Sequence, residues 1–76
     1  MIPLVIVEGE RAVLHLIEPD LPVAELRVQL SVYLEPGRSR ESRFIWMSPE
    51  GPRLLDPKRA VGEQVPAEAE IEIHPR

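Results

Sequence analysis

"DLPVAELRVQLSVYLEPG", residues 20–37, is the stretch whose reading decides the fold. Val23, Leu26, Leu30 and Leu34 recur at three- and four-residue intervals, which lines one face of a helix, and Tyr33 stands at the margin of that stripe. No other segment of the sequence carries this period. Asp20 is positioned to accept hydrogen bonds from the first free amides, and Pro22 suits the first turn. Pro36 and Gly37 end the helix after about four turns. Ala24, Val28 and Val32 make a second, narrower stripe on roughly the opposite side. Single exposed apolar side chains are common on protein surfaces, so this stripe is read either as ordinary surface or as a second contact surface.

Upstream, "PLVIVEGERAVLHLIEP" (residues 3–19) reads as a hairpin. A two-residue turn at Gly9 and Glu10 sets Glu8 opposite Arg11 as a cross-strand ion pair, Val7 opposite Ala12, and Val5 opposite Leu14. One face then carries Pro3, Val5, Val7, Ala12, Leu14 and Leu16; the other carries Ile2, Leu4, Ile6, Val13, His15 and Ile17. Both faces are mostly apolar, so alternation alone does not choose the core. A histidine belongs more naturally on the wetter side, which makes the face of Leu14 and Leu16 the expected core.

Downstream, "RFIWM" (43–47) is a third strand and "SPEGP" (48–52) a turn, since prolines interrupt a hydrogen-bonded ladder. "RLL" (53–55) is a short fourth strand ended by Asp56 and Pro57. "KRAVGEQVP" (58–66) is an irregular connector that tucks Val61 and Val65 under the sheet. "AEAEIEI" (67–73) alternates, with Ala67, Ala69, Ile71 and Ile73 inward and Glu68, Glu70 and Glu72 outward.

The 76 residues are read as one domain, and a chain of this size buries only about 60% of the surface it exposes when unfolded, so its core must be simple. There is no cysteine, which removes disulfides and thiolate metal sites and leaves packing, short turns or self-association to supply stability. The longest uninterrupted apolar run, "IPLVIV", is far short of the roughly 20 residues that span a bilayer. A soluble cytoplasmic protein without membrane insertion is therefore expected. The net charge of −4 argues against a nucleic-acid surface, which needs a basic field. The local exception is "GRSRESR", whose Arg38, Arg40 and Arg43 form either a solvated loop or a contact for an acidic partner.

The order hairpin, helix, strand, short strand, final strand resembles the ubiquitin-like β-grasp family. The likeness is carried by "IEPD" before the helix, "VAELRVQL" within it, "RFIW", "LLD" and "AEIEI". It covers essentially the whole chain as a pattern of apolar positions. It implies an α+β fold, ββαββ, with a mixed sheet of four to five strands packed on one helix and the last strand parallel to the first at the sheet's centre.

In function, the resemblance implies protein binding through an apolar patch on the open face of the sheet. Ile45 would be its centre and Met47 would point the same way, with Glu70, Glu72 and His74 of the last strand beside them. A carboxylate next to Ile45 would be desolvated by an apolar partner at a cost of ~1–3 kcal/mol or more, which favours a basic partner over the family's ordinary readers. The family's modifiers end in paired glycines that thread an activating enzyme. Here Pro75 and Arg76 stand in that place, and Pro75 also restricts His74, so these residues read as the end of a strand and not as a reactive handle. Lys58, the only lysine, would be the one side chain able to accept a conjugated copy.

Catalysis by a nucleophile needs a base within reach and a third group to hold it; the four serines lie in turns or the helix, and the two histidines are not expected to meet, since His15 falls near Leu4 and His74 near the far end of the first strand. His74 with Glu72 offers two ligands, fewer than zinc requires. No enzymatic activity, metal or cofactor is expected. The Glu68, Glu70 and Glu72 row is read as a solvated strand face that discourages aggregation, with a cation or basic-peptide site as the alternative. The expected function is thus a ubiquitin-like protein-interaction module, a bacterial adaptor or the body of a protein modifier, whose partners would include activating or conjugating enzymes. The alternative is a non-catalytic β-grasp subunit of a larger assembly, like the accessory proteins of type VII secretion systems or the small subunits of bacterial multicomponent monooxygenases. Homo-oligomers are compatible with either.

Overall fold

A computed structural model describes residues 1–30 and 43–74 of the chain. The expected helical positions Val32, Tyr33 and Leu34, the helix stop at Pro36 and Gly37, Arg38 and Arg40 of the basic loop, and Pro75 and Arg76 lie outside the described residues. The elements are β1 (Ile2–Glu8), β2 (Arg11–Ile17), α1 (Val23–Leu30), β3 (Arg43–Ser48), β4 (Gly51–Leu54), α2 (Val61–Gln64) and β5 (Glu70–His74). They form a mixed α+β structure with one five-stranded sheet in the order β2-β1-β5-β3-β4. β1 and β5 run parallel at its centre, and the other neighbours are antiparallel.

The hairpin has the register read from the sequence: Glu8 opposite Arg11, Val5 opposite Leu14, Leu4 opposite His15. Gly9 closes it with φ +59, a conformation a side chain would strain and glycine adopts freely. Its buried face is the reverse of the one expected. Leu4, Ile6 and Ile17 are in the core, whereas Leu14 and Leu16 are 61% and 62% exposed. The reason lies in strand position. β1 is an interior strand whose bulkier set, Ile2, Leu4 and Ile6, faces the helix; β2 is an edge strand, where His15 sits half-buried on the core side near the rim.

Val23, Leu26 and Leu30 of α1 pack against that face with Phe44, Ile71 and Ile73, as their spacing predicts. The first amides of α1 do not use Asp20. Val23 N–H donates to the Arg59 carbonyl (3.0 Å) and Ala24 N–H to that of Pro57 (2.9 Å). In return, Val61 N–H donates to the Leu21 carbonyl and Gly62 N–H to that of Pro19, both at 2.8 Å. The segments leading into α1 and α2 therefore cap each other's helices, which satisfies amides that a helix leaves unpaired at its start. A bridge between Pro22 and Ala60 joins them. The connector is thus ordered around α2, and it does bury Val61 and Val65.

Two further expectations are corrected. β4 begins at Gly51 and includes Pro52, so the turn is shorter than "SPEGP": Ser48 faces Gly51 across Pro49 and Glu50. Pro52 is tolerated because the Met47–Pro52 pair lies one step from the closing pair and is not hydrogen-bonded. The missing N–H therefore points to the open edge. β5 begins at Glu70 and not Ala67, which is exposed. Glu68, at φ 67, turns the chain before the strand starts, and its N–H donates to the Pro3 carbonyl. From Ala69 onward the inward positions follow the expected alternation.

Candidate functional site

The face of the sheet turned away from α1 is covered by no element among the described residues. Strand parity and register order its side chains into rungs. One runs Ala12, Val7, Glu72, Ile45, Leu54 from edge to edge. The next carries Leu14, Val5 and Glu70, and a one-step extension of the β3–β5 register continues it through Met47 and Pro52. Two apolar wings, β2-β1 and β3-β4, thus flank a central strand that presents Glu70, Glu72 and His74.

Ile45 and Met47 are half-buried, and Leu54 beside Ile45 is 65% exposed. Glu72 lies opposite Ile45, and its side chain keeps 32% of its accessibility. His74 stands two residues further along the same face, so its ring reaches back and Nε2–H donates to Glu72 Oε1 at 2.9 Å. A partly exposed pair of this kind contributes at most about 1 kcal/mol, so it orients the carboxylate more than it stabilises the fold. Arg43, exposed at the start of β3, faces His74. The five residues singled out from the sequence, Ile45, Met47, Glu70, Glu72 and His74, therefore share one surface.

The other candidates do not join it. Ala24 and Val28 are exposed on α1, which packs on the opposite face, with Val28 at 72%. Lys58 is exposed in the connector after β4, where its main-chain N–H donates to Asp56 Oδ1 at 2.9 Å. His15 belongs to the core-side face of β2, away from His74. The described residues line shallow grooves, among them one of about 250 Å³ between β2 and α1 and one of about 240 Å³ beside Trp46, Arg59 and Gln64. Neither brings a nucleophile to a base. Among the described residues no three potential metal ligands cluster, and no helix is long and apolar enough to cross a membrane.

The residues missed in the sequence are Val5, Val7, Leu14, Leu16 and Leu54, which extend the apolar wings. A signal for the first four was available. Ile71 and Ile73 must face the core if Glu70 and Glu72 face water, and a parallel partner strand in register with them brings Ile6, not Val5 or Val7, to the same side. No protein-family model matches this chain, and no curated protein matches it at a significant level.

Proposed function

We propose that the chain is a ubiquitin-like protein-interaction module with a β-grasp fold, non-enzymatic and cytoplasmic, that binds other proteins through the open face of its sheet. The sheet order and the parallel central pair β1 and β5, with α1 following the first hairpin, support the fold reading. The observation that carries the functional reading is the sheet face, uncovered among the described residues, on which Ile45, Met47 and Leu54 adjoin Glu70 and Glu72. Apolar side chains there gain from burial, roughly 25 cal/mol per Å², while the carboxylates make a partner without cations costly. The module therefore selects basic, partly apolar partners, whether as a free adaptor or as the body of a protein modifier with Lys58 as an acceptor.

The test is capture by the immobilised chain from cells of its source, identification of what binds, and titration with the purified partner. Ile45→Arg should weaken binding at least about tenfold while leaving the circular dichroism and unfolding midpoint near those of the parent, because it places a cation beside Glu72 in a surface the partner must dry. Unchanged affinity for that partner would remove this face from the function.

A second reading, a non-catalytic subunit of a larger assembly, is favoured by the exposure of Val28 on α1, which lies off the Ile45 surface, and of Leu14 and Leu16 at the far wing of the sheet. Their burial in a stable stoichiometric complex would decide for it.

A further inference from the structure

The outer edge of β2 is unlike the other edge of the sheet. β4 is a strand of four residues containing Gly51, Pro52 and Arg53, features that blunt an edge against pairing. β2 has seven residues, a regular register along its whole length with β1, and neither proline nor glycine. Leu14 and Leu16 project from it at 61% and 62% exposure.

The direction of its free main-chain groups follows from β1. Val5 N–H donates to the Ala69 carbonyl, and the Pro3 carbonyl accepts from Glu68 N–H, so the odd residues of β1 bond toward β5 and its even residues toward β2. In the β1–β2 register the even residues of β1 face Arg11, Val13, His15 and Ile17. The amides and carbonyls of Ala12, Leu14 and Leu16 therefore point outward, and nothing among the described residues pairs with them.

We propose that this edge pairs with the same edge of a second copy, antiparallel about a two-fold axis at Leu14, to form a dimer with a continuous sheet across both chains. Leu14 is the middle residue of β2, so this register alone pairs the strand over its full length. It sets Leu14 against Leu14 and each Ala12 against the partner copy's Leu16, three hydrogen-bonded pairs of two bonds each, with the leucines in one cluster. Arg11 falls opposite Ile17, and no like charges meet within the strand. A register centred on Val13 sets Arg11 opposite His15, and one centred on His15 sets the two histidines against each other. Each also leaves two residues at one end of the strand unpaired. Face-to-face association through the open sheet would bring Glu70 and Glu72 of both copies into one dried interface, which charge repulsion opposes. The edge is thus the self-complementary surface. This inference is independent of what the Ile45 face binds.

Sedimentation equilibrium of the full chain across a concentration series, paired with amide hydrogen exchange, tests it. The parent should dimerise reversibly, and the amides of Ala12, Leu14 and Leu16 should exchange more slowly as dimer accumulates. Leu14→Lys, which places two ammonium groups together at the axis, should raise the dissociation constant roughly 100-fold or more without altering the circular dichroism. A chain that stays monomeric up to about 1 mM, the weak end of specific association, overturns the proposal. So does a dimer in which those three amides exchange at the monomer rate, or one that Leu14→Lys leaves intact. Protection of the three amides only on adding another protein's extended peptide would assign the edge to a foreign strand and overturn self-pairing.

Discussion

Replacing Gly62 by alanine should destabilise this protein, although glycine to alanine inside a helix ordinarily gains up to about 1 kcal/mol. A Cβ built on Gly62 would lie 2.5 Å from Pro19 Cβ, 2.9 Å from the Pro19 carbonyl oxygen and 3.0 Å from Pro19 Cα. Comfortable carbon contacts begin near 3.5 Å, so the two segments must part by about 1 Å, and the obstacle is main chain and a proline ring, neither of which can rotate away. That displacement falls on the reciprocal caps, stretching Gly62 N–H to Pro19 and Val61 N–H to Leu21. Overpacking costs about 1–3 kcal/mol and a weakened hydrogen bond about 0.5–1.5 kcal/mol, against the helix gain, leaving a net loss of about 1–3 kcal/mol. Urea unfolding followed by the fluorescence of the single tryptophan, Trp46, which packs against the core, would report it as a lower midpoint at constant slope. Pro19→Gly, which removes the nearest atom, should recover part of the loss in a double-mutant cycle. A Gly62→Ala protein as stable as its parent would refute the close approach of the two leading segments and with it the mutual capping.

Glu68→Gly should stabilise the chain by about 1 kcal/mol in the same assay, since Glu68 is held at φ 67 where an L side chain is strained; a lower midpoint would contradict that conformation. Gln64→Ala should cost about 1–3 kcal/mol, because its Oε1 accepts from Asp56 N–H at 2.7 Å and its Nε2 donates to the Asp56 carbonyl at 3.0 Å, anchoring the connector to α2. Gln64→Glu should not rescue it, as a carboxylate cannot donate; equal midpoints for the parent and both variants would remove the clamp. At a concentration low enough to keep the chain monomeric, Leu4→Ala should cost about 2–5 kcal/mol while Leu14→Ala stays within about 0.5 kcal/mol, and the reverse order would mean that the hairpin buries its other face.

These positions show where the sequence was legible and where it was not. Local periodicity was enough for the helical stripe at Val23, Leu26 and Leu30, for the hairpin register around Gly9, and for the inward set Ala69, Ile71 and Ile73, because each is decided by contacts within a few residues or by one buried face. The buried face of the hairpin depends on which strand is interior, a long-range fact that His15 could not report from an edge. The caps of α1 come from carbonyls more than thirty residues away at Pro57 and Arg59, so Asp20, a sound local choice, was displaced by tertiary structure. Gly62, between two proline-bearing stretches, was the only local sign of a tight approach. Glu68 carries no compositional mark of a left-handed turn, so the alternation of "AEAEIEI" ran on past its true start.

The candidate site was legible in a different way. The spacing of Ile45 and Met47, and of Glu70, Glu72 and His74, fixed which residues share a face, but only the pairing of β3 with β5 brings the two sets together. That pairing also separates the two surfaces. In the order β2-β1-β5-β3, the Ile45 strand lies three strand spacings from the β2 edge, about 14 Å at the usual separation. A strand added beyond β2 therefore extends the sheet without covering Ile45, Met47 or Glu72. A two-fold at Leu14 would then carry two such faces on the same side of one continuous sheet, each with its own pair of carboxylates. Such an arrangement favours a partner that offers two basic segments, because the second contact forms at the high effective concentration set by the first.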